Sequence, residues 1–599
     1  MNKNNIRNFA IIAHIDHGKS TLADRIMEMT DTVASRELKE QLLDDMSVEK
    51  AHNVTVKSRT VRNLYHADDG SDYELNLIDT PGHVDFAYEV SRSLSACEGV
   101  ILLVDATQGV QAQTVANFRL VKKMGLVIIP VLNKVDSESA DIERTEAQVR
   151  SLDKSMQDSH FLHISAKTGY HVHNVLEEVV KEVPAPQGSH AETLKALVFD
   201  SIYDAYKGII LLVRVVDGRF TAKEKLSLIA GMVTFQPKEI GIFTPYATAV
   251  DTLNTGEVGY IVTGLKDTKY MRVGDTLTLA ENPAAELLPG YQPVQQMVFA
   301  GFYPKDCDYK ELKSALEKLL LNDPSFTFTE ENSDALGAGF RCGFLGVFHL
   351  QIIRERLQEE YGVNVLTTAP NVSYHVYVKK ENQAPELVVV DNPGKFPYFG
   401  DVAYVEEPFV TAEITVPEEN MSEVMQLAYE YRGTLLATNN DEGVIVLTYS
   451  MPLAQIVFDF FNKLKASSHG YATLHTAFRD YEQSDVVKVE VDVNYAPVDA
   501  LSFVVYRQDA PAMTKELVEK LKYTMPRKLY PTPVQAVVEG KSIARVDVPP
   551  LRKNAAVSGE IHTVSKKQAL LRRQNKNKRR AAHEAIEIPQ SVFNAILEI

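Results

Sequence analysis

The chain has 599 residues, 45% of them hydrophobic and 24% charged, with a formal net charge of −17 at pH 7. A chain of this length holds about four domains or more, and the composition excludes a disordered, collagenous or disulfide-stapled protein. Cys97, Cys307 and Cys342 lack metal-ligand spacing and read as reduced, buried thiols, and neither a signal peptide nor an apolar run of spanning length is present, which argues against secretion or membrane integration.

Phe9–Ile12 reads as a buried strand and Thr21–Ile26 as a helix start. Between them Ala13–Ser20 (Ala-His-Ile-Asp-His-Gly-Lys-Ser) has the strand, loop, helix context of a phosphate-binding loop. Backbone N–H groups of Asp16, His17 and Gly18, with the positive end of the helix at Thr21, would cradle phosphates. Lys19 would reach the β and γ oxygens, and Ser20 would place its hydroxyl on Mg2+. The usual pattern opens with glycine where this chain has Ala13, which a loop binding through its backbone accepts if φ there stays negative.

A second apolar stretch, Leu75–Ile78, ends at Asp79, a carboxylate placed to hold Mg2+ through water. Gly82 follows, where a backbone N–H could meet a γ-phosphate and release when it leaves. The third segment is Asn133-Lys134-Val135-Asp136. Asp136 could accept from N1–H and the N2 amino group of guanine, which adenine cannot supply, and an unpaired buried carboxylate is costly enough to select GTP over ATP. Ser165-Ala166-Lys167, after the strand-like Phe161–Ile164, offers a backbone contact to guanine O6. A single Asn-Lys-x-Asp is common on solvated turns, but the three segments in this order, each after a strand, point to a guanine-nucleotide site.

Residues 1–187 alternate strand and helix patterns and read as a P-loop GTPase domain with a mainly parallel sheet, its ligand at the carboxyl ends of the strands. Short alternating strands over 190–285 read as a β-barrel. Residues 292–375 and 403–482 each give a strand, helix, two strands, helix, strand order, which predicts two ferredoxin-like split βαβ modules. Helices are expected near Tyr309–Leu321, Gly346–Glu360, Glu418–Glu430 and Leu453–Ser467, with Glu381–Asp401 as an exposed connection. Gly337–Gly343 has its third glycine displaced from a dinucleotide fingerprint and reads as a strand needing close backbone packing. Residues 483–599 read as a mixed α/β C-terminal domain with a basic tail. In that tail Lys566, Lys567, Arg572, Arg573, Lys576, Lys578, Arg579 and Arg580 occur without an acid among them, so the block could bind a phosphate backbone despite the global charge; a solvated tail is the alternative.

With these motifs in place the sequence resembles the translational GTPases and, within them, the LepA (elongation factor 4) family. The resemblance runs over essentially the whole chain and rests on Asn8–Thr21, Asp79–Arg92, Gly339–Gly346, Glu406–Pro408 and Pro497–Phe503. It implies a cytoplasmic, ribosome-dependent GTPase that uses GTP and Mg2+, acts with rRNA and tRNA, and is associated with one-codon backward movement of tRNAs as a fidelity or stress factor. It also implies peripheral contact with the inner face of the cell membrane. By motif match Thr55 would close over Mg2+ and the γ-phosphate, His83 would position the attacking water, and Asp16 would help hold a monovalent cation. The chain gives no oligomer signal and is expected to be a monomer.

Two departures from the family pattern stand out. His52-Asn53 replaces the Arg-Gly of the switch loop, removing a permanent cation, and Val557–His562 replaces the Cys-Tyr-Gly-Gly-Asp segment near tRNA. They suggest a divergent second copy of the family. Other readings are a translational GTPase of the BipA type or a GTP-gated RNA-binding assembly module that has lost hydrolysis. The Gly339–Gly346 segment and basic C-terminus speak against BipA, and the short stretch from Asp136 to Ser165 leaves no room for the inserted subdomain of elongation factor G.

Overall fold

The computed structural model describes residues 3–14, 16–33, 42–43, 46–52, 55–81, 86–204, 206–265, 273–289, 296–381, 383–441, 444–468, 472–528, 531–551 and 591–592. In the first part of the chain, β1 (Ile6–Ala13), β2 (Arg59–His66), β3 (Asp72–Asp79), β4 (Gly99–Asp105), β5 (Val127–Asn133) and β6 (Leu162–His163) form one sheet in the order β2-β3-β1-β4-β5-β6. All its pairings are parallel except that of β2 with β3.

The period of two along β1 explains how this sheet is covered. Phe9, Ile11 and Ala13 face a core shared with α1 (Lys19–Met29) and, through Val175, Leu176 and Val179, with α6 (Val172–Glu182). Ala10 and Ile12 face the opposite core, with Val90 and Leu94 of α3 (Ala87–Leu94) and Phe118 and Val121 of α4 (Ala112–Met124). A strand buried on both faces has to read as a continuous apolar run. α5 (Ile142–Ser151) adds Val149 to that second core and is capped by Asp141 accepting from Arg144 N–H at 3.1 Å, while the short α2 (Ser47–His52) lies outside both cores of the sheet.

The second core continues into the next unit through Phe199, Leu212, Val258 and Tyr260. That unit is an antiparallel eight-stranded sheet that includes β7 (Lys195–Asp204) and β8 (Gly208–Asp217), with a separate two-stranded ribbon and an apolar interior of its own.

The third unit has its strands ordered 327–333, 337–344, 298–304, 365–367, which is the strand order of a split βαβ module. Its helices are α7 (Tyr309–Asn322) and α8 (Val347–Tyr361). A capping box starts α7: Asp308 accepts from Glu311 N–H at 2.8 Å and Glu311 accepts from Asp308 N–H at 3.2 Å. The glycine-rich strand packs closely, as its composition predicts. A Cβ at Gly339 would lie 2.4 Å from Tyr303 Cδ1 and 2.7 Å from the Phe302 carbonyl oxygen.

The fourth unit repeats the same strand order with 402–417, 434–441, 444–452 and 473–484. Its second helical segment is not one regular helix, because a π-turn at Ile456–Phe460 separates Leu453–Gln455 from Phe461–Ser467. The connection expected over 381–401 departs from the sequence reading. Gln383–Val390 is a strand, paired antiparallel with Tyr374–Lys380, and this hairpin joins the sheet of the fourth unit through Val402–Glu406. Its backbone bonds are made, while most of its side chains are exposed. A last sheet over 486–548 with the helix Ala510–Thr524 closes the described part of the chain. Cys97 and Cys342 are buried and Cys307 is partly buried, all as free thiols, and burial raises the pKa of each.

Candidate guanine-nucleotide site

The loop expected to hold phosphates leaves the carboxyl end of β1 at Ala13, in extended backbone, and enters α1 at Lys19. Asp16 and Gly18 take positive φ, 63° and 95°. Gly18 is required twice over, because a Cβ there would stand 2.4 Å from Asn133 Nδ2 as well as in strained backbone. His17 is fully buried beneath the loop, where burial, aided by His14, pushes its imidazole down to about 3. Its Nδ1 accepts from Asp105 N–H at 3.2 Å, which ties the loop to the end of β4.

At the phosphate end, Lys19 Nζ donates to Asp79 Oδ1 at 2.6 Å and to Thr55 Oγ1 at 2.7 Å. Lys19, Thr55 and Asp79 are all buried. A hydroxyl and a carboxylate from two distant segments thus converge on one cationic point beside the loop. Ser20 stands next to Lys19 and is half-buried, and Thr21 is exposed on the first turn of α1. Hydroxyl and carboxylate oxygens are hard donors of the kind Mg2+ takes, so this set fits that ion.

At the base end, Asn133 is a two-sided brace. Its Nδ2 donates to the His17 carbonyl at 2.9 Å and its Oδ1 accepts from Ala166 N–H at 2.9 Å, joining the first and last motifs. Lys134, at φ 61°, donates to the Asp16 carbonyl at 2.7 Å and pairs with Asp105 at 2.7 Å. Burial works against the Asp105 carboxylate, but hydrogen bonds from Lys134 and Thr107 outweigh it and hold its pKa below the ordinary value. Asp136 is exposed on the turn after β5. Ser165 and Ala166 are buried and Lys167 is exposed, and Ser165 Oγ accepts from Thr168 N–H at 3.2 Å.

Three of these supports have no motif to announce them. Asp105 could have been flagged as a second acid ending a buried strand, as Asp79 does. Arg25, on the outer face of α1, donates from Nε to the Ala166 carbonyl at 3.3 Å and from Nη2 to the Lys167 carbonyl at 3.0 Å, fixing the base-side loop. Glu49 accepts from Val56 N–H at 2.9 Å and Lys57 N–H at 3.1 Å, folding the segment around Thr55 back on α2. His52, which stands where an arginine was expected, has a partner in another unit: its Nε2 lies 2.8 Å from Glu355 Oε2 of α8, and its ring meets Phe348 edge-on. Asn53, Gly82, His83, Val557–His562 and the basic block Lys566, Lys567, Arg572, Arg573, Lys576, Lys578, Arg579 and Arg580 lie outside the described residues.

Comparison with known proteins gives matches along the whole chain. A family model described as the elongation factor Tu GTP binding domain matches residues 4–185. Others, the elongation factor G C-terminus and the C-terminus of the GTP-binding protein LepA, match 404–491 and 493–598. "Elongation factor 4 2" of Lactiplantibacillus plantarum is 60% identical over 599 residues, all of both chains. "Elongation factor 4" of Streptococcus pyogenes serotype M2 is 47% identical over 597 residues, 99% of this chain and 97% of the relative. A crystal structure from Thermus thermophilus, 17% identical with a TM-score of 0.57, covers 80% of this chain and 97% of its own and supports the fold. Full-length identity at this level, on a chain whose loop, Asn133 brace and Lys19–Asp79–Thr55 cluster lie together at the carboxyl ends of the first sheet, shows that the chain belongs to the LepA (elongation factor 4) family of translational GTPases.

Proposed function

We propose that this GTPase works on the ribosome, its hydrolysis stimulated there, and that it promotes one-codon backward movement of tRNAs as a fidelity or stress factor. The observation that carries the nucleotide part of this reading is the Asn133 brace, because it fixes base recognition and phosphate binding relative to each other. Asp136 then reads N1–H and N2 of guanine. With Ala166 N–H already given to Asn133, the backbone contact to O6 falls to Lys167 N–H. Backbone N–H groups of Asp16, His17 and Gly18 and the start of α1 at Thr21 receive the phosphates, and Lys19 turns from Asp79 and Thr55 to the β and γ oxygens.

Ser20, Thr55 and Asp79 would hold Mg2+, which would supply neutralising charge to the phosphates. Gly82 offers its N–H to the γ-phosphate, and His83 orients the attacking water. An imidazole that only orients water gains little unless it is itself held, so slow basal turnover with strong ribosomal stimulation is the expected signature. The exposed carboxylate of Asp16 at the loop mouth supports a monovalent-cation role there.

The basic block from Lys566 to Arg580 would contact tRNA or rRNA phosphates. Cytoplasmic residence as a monomer, with peripheral contact at the inner membrane surface, completes the reading; among the described residues no helix is long and apolar enough to cross a membrane. Multiple-turnover GTP hydrolysis with and without ribosomes, for the parent and His83→Ala, tests the enzymatic part, and toeprinting of ribosome complexes tests the direction of tRNA movement. Stimulation of the parent and its loss in His83→Ala supports the reading. An unstimulated parent that still binds ribosomes in a GTP-dependent way would instead make the chain a GTP-gated assembly module.

A further inference from the structure

Lys57 stands two residues beyond Thr55, and its ammonium leaves the nucleotide domain. Nζ donates to the Ser201 carbonyl on β7 at 2.9 Å and to the Asn322 carbonyl at the end of α7 at 3.0 Å, with Asp200 Oδ2 3.9 Å away. The side chain is only 11% exposed. Its two acceptors belong to the second and third units, so one cation bridges three parts of the chain. The surroundings tighten that joint. Asn322 Oδ1 accepts from Tyr203 N–H at 2.7 Å, and Asp200 pairs with Arg92 of α3 at 3.1 Å.

The same third unit holds the stretch before Thr55. Helix α2 lies against α8, with His52 on Glu355, Ser47 on Glu359, and Val48 and Val56 in one apolar cluster with Ile352 and Phe348. Phe86, immediately before α3, packs edge-on against His349 and Phe348 of α8 at ring separations of 5.9 and 6.1 Å. Both sides of Thr55 and the start of α3 are therefore read by one helix of the third unit.

We propose that Lys57 is a positioning residue for GTP hydrolysis: by pinning the strand-side flank of Thr55 to the Ser201 and Asn322 carbonyls, it sets where Thr55 stands relative to Lys19 and Asp79 and makes α8 respond to the nucleotide. The chemistry is that of a three-donor ammonium with two well-defined carbonyl acceptors. A methionine of similar length keeps the apolar stem and removes every donor, whereas arginine keeps the charge and can donate to both carbonyls in a different fork. GDP gives Thr55 no γ-phosphate to close on, so its binding should not depend on the pin.

The inference deepens the reading proposed above, and its test separates the two. Full-length parent, Lys57→Met and Lys57→Arg are compared by hydrogen exchange of residues 347–361 with GDP and with a non-hydrolysable GTP analogue. Ribosome-stimulated turnover and mant-GDP affinity are measured on the same samples. The parent should show a nucleotide-dependent difference in exchange at 347–361. Lys57→Met should lose it and lose about tenfold in ribosome-stimulated kcat, with mant-GDP affinity within about threefold of the parent, and Lys57→Arg should recover much of both. A Lys57→Met protein that keeps the nucleotide-dependent exchange, or that loses mant-GDP affinity in step with kcat, overturns the proposal, as does a parent without any such difference. If ribosomes fail to stimulate the parent, the ribosomal reading falls, and the exchange measurement still decides for Lys57.

Discussion

Gly18 and Asn133 meet across the candidate nucleotide site, so closely that a Cβ on the first would stand 2.4 Å from Nδ2 of the second. The contact couples the shape of the loop to the segment around Ala166, because the same Asn133 holds the His17 carbonyl and Ala166 N–H. Gly18→Ala should therefore do more than strain a backbone at φ 95°. It should push Asn133 off both partners, at a cost of about 1–3 kcal/mol from strain alone. GDP affinity by isothermal calorimetry should fall on the order of tenfold or more, and an unchanged affinity would show that Asn133 is free to move aside.

Asp136 is exposed on the turn after β5, open to a ligand edge. Asp136→Asn should exchange the preference for GTP for one for XTP, whose 2-oxo group accepts where guanine donates. Competition binding should show the ratio moving by on the order of a hundredfold. A ratio that stays put would refute the assignment of guanine to this carboxylate.

Glu89 of α3 is buried beside Arg92, 3.2 Å away, with Asp200, Asp323 and Lys57 also facing it. Burial, opposed by Arg92, pushes its carboxyl up to about 7 from a reference of 4.5. The folded form thus binds a proton more tightly than the unfolded chain does. The stability this provides is complete below the unfolded value and is lost as pH rises through about 7. Thermal melts of the parent should lose stability between about pH 5 and pH 8 by a component that Glu89→Gln removes, checked by calorimetry at about unit pH steps. An identical pH slope in the two proteins would place the ionisation elsewhere.

Gly339 tests packing apart from chemistry. Its would-be Cβ meets the Phe302 carbonyl at 2.7 Å, a backbone atom of the neighbouring strand that cannot rotate away. Gly339→Ala should destabilise the third unit by about 1–3 kcal/mol, as overpacking does. Denaturant titration should show that loss while GDP affinity holds.

What could be read in the sequence was what neighbouring residues say about each other. The loop from Ala13 to Ser20, the Asn133–Asp136 turn and the alternating strand and helix patterns are local, and the strand orders of the two split βαβ modules follow from them. The supports were illegible for the opposite reason. Arg25 reaches Ala166, Lys134 reaches Asp105, and Lys57 reaches Asn322, pairings created by packing alone.

Helix α2 is six residues long, too short to stand by itself, and exists where Val48 can pack near Ile352. The strand Gln383–Val390 was hidden because its side chains are mostly exposed on both faces, which leaves no alternation to read.

The sixteen-residue strand Val402–Pro417 belongs to more than one pairing at once: the hairpin at its beginning, 444–452 beyond it, and 473–484 along most of its other side. At about 3.4 Å per residue it is a girder roughly 50 Å long. Bending it would break rungs on both flanks, so any large swing of the chain's later half must carry hairpin and module together.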